Sequence, residues 1–166
     1  MLWHRPGEAH MKSPSNVLRG LVVGTLLFGA LPSQADSSAC ALLKQADLNT
    51  FLGGIGVAKP SGGACTWTAA GSPRKLMAAR MQAAGPAAEM AYAGARKNAP
   101  DEGKNKVTDE LGIGDRAFSV QTSFGVALFT LKQGRMLQLQ YWTGAPGTAK
   151  DVEALRPVAR KAAAAF

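Results

Sequence analysis

The chain has 166 residues, a formal net charge of +8, two cysteines and two histidines. Both histidines, His4 and His10, lie in an N-terminal stretch that reads as an export leader, so the remainder carries no imidazole, and Ser-His-Asp, Cys-His and histidine-zinc chemistry are excluded from it. Two cysteines also provide none of the clusters that cysteine-based metal sites require, and no cofactor is expected.

The leader has three parts. Lys12 and Arg19 form a basic lead, Leu21 to Leu31 is an uncharged apolar run, and Pro32-Ser33-Gln34-Ala35 supplies the small residues of a cleavage site. An apolar run of eleven residues falls short of the roughly 20 that a membrane-spanning helix needs, so no stable span is expected after cleavage. Residues 1–35 are therefore read as a signal peptide and 36–166 as a single domain in the periplasm or outside the cell. Met11 begins a more conventional leader than Met1.

Removing the leader leaves sixteen basic and ten acidic residues, a net charge of +6. That balance biases the domain toward acidic partners such as anionic lipid headgroups or phosphorylated glycans. Its basic residues are scattered, with Lys104/Lys106 and Arg160/Lys161 the nearest approach to clusters. Neither pair alternates with aromatics, which argues against nucleic acid as a partner.

Cys40 follows the apolar run as a lipid-attachment cysteine would, but Ser37-Ser38-Ala39 before it lacks the leucine-like residue three positions upstream. Cys40 is read instead as half of a disulfide with Cys65, the one intramolecular pairing that an oxidising compartment allows. Ser37 or Ser38 caps a first helix containing Leu42, Leu43, Ala46 and Phe51, with a short break before Asp47 and an end at Gly53-Gly54. Gly53 to Gly63 is expected as a loop. Residues 64–69 alternate as a strand with Cys65, Trp67 and Ala69 on one face, Gly71-Ser72-Pro73 turns, and Lys75 to Ala83 returns as its partner.

Pro86 suits the first turn of a second helix over Ala87 to Lys97, and residues 98–106 form a polar surface loop. A strand is expected at Ala117 to Val120. The clearest element is the hairpin of Phe124 to Leu131 and Met136 to Trp142 about Lys132-Gln133-Gly134-Arg135, with Leu137, Leu139 and Tyr141 on one face and Gln138 and Gln140 on the other. Thr148 with Asp151 three residues on caps a last helix through Val152, Leu155, Val158 and Ala162, where Pro157 predicts a kink or a late start. The order α-β-β-α-β-β-β-α predicts an α+β domain, an antiparallel sheet of about five strands with helices packed on one face.

Cys40-Ala-Leu-Leu43, Ala46-Asp47-Leu48, Leu52-Gly53, Cys65-Thr-Trp67 and Leu111-Gly-Ile-Gly-Asp115 together resemble a broad group of bacterial exported and lipoprotein-type small domains of unknown function. More distantly they resemble the extracellular sensor domain of a mycobacterial serine/threonine kinase. The resemblance spans most of residues 36–166. It implies a curved antiparallel sheet packed by helices and a disulfide from first helix to strand, and it transfers no catalytic residues.

Asp101/Glu102 and Asp109/Glu110 are the carboxylates on which a hydrolase would rely, but adjacent acids in a polar segment are ordinarily solvated. Gly112-x-Gly114 reads as a turn. Trp142, at a strand end beside Gly144-Ala145-Pro146-Gly147, is the candidate stacking residue, with Tyr141, Arg116 and Asp115 as further binding candidates. The expected role is a non-catalytic binding module that engages an acidic or amphipathic envelope component. An exported inhibitor or accessory protein docking on another protein is the alternative, and a carboxylate-dependent hydrolase the third.

Overall fold

The structure, a computed structural model, describes residues 39–102 and 105–166. The expected signal peptide and the expected cap at Ser37 or Ser38 lie outside the described residues, as do the side chains of Asp101 and Glu102. A 3-10 turn at Ala39–Leu42 leads, after a break at residues 43–44, into α1 (Gln45–Leu52), which starts two residues before the expected restart at Asp47. Gly53 closes α1 at φ 77, a left-handed conformation that costs glycine nothing, and its N–H bonds the Asn49 carbonyl. Three strands follow, β1 (Ile55–Ser61), β2 (Ala64–Ala69) and β3 (Lys75–Ala84), then α2 (Pro86–Asn98) and a 3-10 turn at Ala99–Glu102. The chain completes with β4 (Lys106–Asp109), β5 (Arg116–Thr122), β6 (Gly125–Lys132), β7 (Arg135–Trp142) and α3 (Ala149–Ala164).

All seven strands join one antiparallel sheet in the order β1-β2-β3-β7-β6-β5-β4. Two meanders, β1–β3 and β4–β7, thus meet at the β3–β7 ladder. The α+β class stands, but the sheet has seven strands, where about five were expected. Both extra strands are edges. β1 replaces the expected loop at Gly53 to Gly63; it is exposed over nearly its whole length and contains Lys59 and Pro60, so it shows none of the alternation that marks a half-buried strand. β4 takes the end of the expected polar loop and has only four residues.

The helices also divide between the two faces instead of sharing one. On one face Cys65 and Trp67 of β2, Leu76 and Ala78 of β3, Leu137 and Leu139 of β7 and Val126 and Leu128 of β6 pack under α1 and α3 in the main core. On the other, Phe118, Val120, Ala127, Leu131 and Met136 pack under Ala88 and Tyr92 of α2. A period of two sends neighbouring residues of one strand to opposite cores, and both are apolar over β5 and β6, which is why these strands read as nearly continuous hydrophobic runs.

The disulfide is present, with Cys40 and Cys65 Cα atoms 5.0 Å apart, tying the opening turn to β2. Thr148 and Asp151 form the expected reciprocal cap. α3 is one continuous helix through Pro157, and the expected late start does not occur. Val152, Leu155, Val158, Ala159 and Ala162 are buried, whereas Pro157 is on the exposed side, so the backbone acceptor it leaves unbonded faces water. At the far end of α3, Lys132 donates to the Ala163 carbonyl at 2.6 Å and Arg135 donates to that of Phe166, placing cations at the negative end of the helix dipole.

Candidate functional site

α2 covers only part of its face of the sheet. Beyond the buried Ala127 and Val120 the cross-strand rows continue as Gln140, Met77 and Thr66, and as Trp142, Lys75 and Thr68, with Gln138 between Ala79 and Phe129 in the next row. Three adjoining depressions follow this open strip. One, of about 300 Å3, runs beside the end of α2 over Gln138, Gln140 and Thr122. A second, of about 480 Å3, shares Thr122 and Gln140 with it and extends to Lys106, Phe124 and Pro146. The third, of about 400 Å3, is bounded by Phe124, Trp142, Thr66, Pro73, Lys75 and Gly144. Together they make a groove lined by amides, hydroxyls and apolar side chains, with two aromatic rings at one end.

Backbone contacts fix the aromatic end. Gly125 faces Trp142 across the β6–β7 ladder at φ 147, and a Cβ there would lie 2.0 Å from the Tyr141 carbonyl oxygen. Gly147 passes so close that its own Cβ would lie 2.1 Å from the Gly125 oxygen, while its N–H bonds the Thr122 carbonyl at 2.9 Å. The loop after β7 is thereby held against the β5–β6 turn that carries Phe124. Phe124 is 67% exposed, and Trp142 beside it is half-buried.

The groove also has a distinct electrostatic character. No acidic residue is among the described side chains that line it, and no described acidic side chain pairs with Lys75 or Lys106. Among the described residues, the side-chain amides of Gln138 and Gln140 have no hydrogen-bond partner. Each amide offers two donors and an acceptor at the sheet surface.

The four residues singled out from sequence do not assemble. Trp142 lines the groove. Tyr141, one residue earlier, points into the main core, with its ring 4.7 Å from that of Phe51, and is 5% exposed; it is a packing residue and not part of an accessible site. Arg116 pairs with Glu89 and lies over the Tyr92 ring at 5.3 Å, docking α2 onto β5. Asp115 accepts a 2.6 Å hydrogen bond from the Gln133 backbone N–H, bracing the β6–β7 turn. Arg116 stands opposite Leu131 and Trp142 opposite Gly125, six residues apart along β6, or about 20 Å. Phe124, Thr66, Lys75 and Lys106 were missed. Phe124 sits in a run that reads as strand, and its placement in the turn depends on Gly125.

The described pair of candidate acids, Asp109 and Glu110, serves the fold. Asp109 pairs with Arg96 at 2.9 Å, and Glu110 is buried against Arg156 and Ser119. Among the described residues no group of three His, Cys, Asp or Glu could hold a metal ion, and no helix is long and apolar enough to cross a membrane. No protein-family model, curated protein or solved structure matches this chain.

Proposed function

We propose that this protein is a non-catalytic, exported binding module of the bacterial cell envelope, akin to the small exported domains it resembles, and that it engages its ligand on the sheet face left open by α2. The observation that carries this reading is a concave strip, lined by no described carboxylate, in which unengaged amides lie next to a half-buried indole and an exposed phenyl ring. A site of that composition can orient a ligand by hydrogen bonds and hold it by ring contact without any group that changes it chemically. The Cys40–Cys65 disulfide supports an oxidising compartment, and the basic balance supports an acidic partner.

Titration with fractionated envelope extract tests the proposal through tryptophan emission. A ligand fraction is expected to change the emission of the mature parent protein but not that of mature Trp142→Phe, because Trp3 belongs to the expected leader and Trp67 is buried in the main core. A change that survives the substitution, or no change with any fraction, contradicts it. The second reading, docking on another protein, rests on the exposure of Phe124 beside Trp142.

A further inference from the structure

We infer that the ligand of this groove is an anionic glycan, a saccharide chain bearing carboxylate or phosphate groups. The inference rests on the binding-module reading and adds the chemistry of the ligand. A sugar ring presents a face of C–H bonds to an aromatic ring and a rim of hydroxyls that both donate and accept. Trp142 and Phe124 offer the first contact, and Gln138 and Gln140 offer paired donors and acceptors for the second. Lys75 is the cross-strand neighbour of Trp142, and Lys106 lies on the wall of the adjoining depression. Two cations flanking a strip that no described carboxylate lines favour negative charge on the same ligand.

A lipid surface fits less well. The large exposed apolar residues Val57, Met81 and Met90 lie on β1, β3 and α2, and Leu111 and Phe124 in the β4–β5 and β5–β6 connections, so that with β1 and β4 at opposite sheet edges they are spread across the fold, whereas membrane attachment needs them gathered on one face with a basic surround.

The experiment measures affinity by calorimetry and maps amide shifts for phosphatidylglycerol vesicles and for four oligomeric probes of matched length: a galacturonate oligosaccharide, a phosphorylated mannose oligosaccharide, a neutral glucose oligosaccharide and polyglutamate. At low salt one or both anionic glycans are expected to bind about tenfold more tightly than the neutral one, since two exposed charge contacts contribute modestly and are screened by salt. Shifts are expected at Gln138, Gln140 and Trp142. K75Q/K106Q is expected to abolish the preference while retaining neutral-level binding, and Trp142→Ala to weaken every glycan by about tenfold, as loss of an aromatic anchor does. The carboxylate and phosphate arms identify the source of the charge.

Equal affinity for the neutral oligosaccharide overturns the inference, as does equally tight binding of polyglutamate or of phosphatidylglycerol vesicles at the same amides. If no glycan binds but an envelope fraction shifts the groove amides, the glycan assignment fails and the binding-module reading stands. If nothing perturbs the groove, both fail.

Discussion

Arg156 on α3 donates from Nε to Glu110 Oε2 at 2.6 Å, while Ser119 Oγ donates to Glu110 Oε1 at 2.7 Å, so a carboxylate side chain only 2% exposed is satisfied by a helix and a strand at once. The contact fastens α3 to the β4–β5 connection. Arg156→Ala leaves that carboxylate buried with Ser119 alone and is expected to lower unfolding free energy by about 3 kcal/mol, since removing one partner of a buried pair strands the other. Urea denaturation measures it. A loss within about 0.5 kcal/mol, the range of ordinary surface substitutions, contradicts the role.

Tyr92 provides the pH-dependent counterpart on the opposite face. Burial raises its phenol above the ordinary value; Arg116 opposes the rise, Asp109 adds to it and Arg96 opposes it. Because the folded-state value lies above the unfolded one, the stabilisation is fully present below about pH 10 and is lost as pH rises through the raised value. In Tyr141→Phe, where Tyr92 is the remaining tyrosine, ultraviolet titration is expected to show ionisation above that of free tyrosine. Ionisation at or below it contradicts the docking of α2 over Phe118.

Reducing the Cys40–Cys65 bond opens a loop with a sequence separation of 25 and is expected to cost about 3.5 kcal/mol by the chain-entropy relation. Thermal melts with and without reductant check it, and an unchanged melting temperature contradicts a stabilising bond.

Much of this fold was legible because local and tertiary preferences agree. In the β6–β7 hairpin, Gln133 at φ 50 and Gly134 at φ 66 form the two-residue turn that the flanking apolar runs require. β2 buries Cys65, Trp67 and Ala69 as their alternation implies. β1 was illegible because an edge strand with solvent around it leaves no hydrophobic pattern. The second helical layer was illegible because α2 is rich in alanine and its apolar stripe is narrow, Ala88 and Tyr92 being its buried residues. Of the site, Trp142 was visible as an aromatic at a strand end, and Gln138 and Gln140 as a separate face. Their union with Thr66 and Lys75 depends on pairing β3 with β7, a contact between strands distant in sequence that no local pattern encodes.

Gly125→Ala probes the backbone that builds the aromatic end. The added Cβ meets the Tyr141 oxygen at 2.0 Å at a φ of 147 that side chains disfavour, so the variant is expected to lose about 2 to 4 kcal/mol, in the range of strained and overpacked positions. Calorimetric unfolding reports it, and parent-like stability contradicts the close approach.

The central claim is that ligand meets protein on the open sheet face beside α2. Its most direct measurement is an amide chemical-shift map of the purified protein titrated with fractions of envelope extract. The account predicts shifts confined to Thr66, Lys75, Thr122, Phe124, Gln138, Gln140 and Trp142 and their neighbours. Shifts centred on the α1–α3 face, or a map that no fraction perturbs, would contradict it.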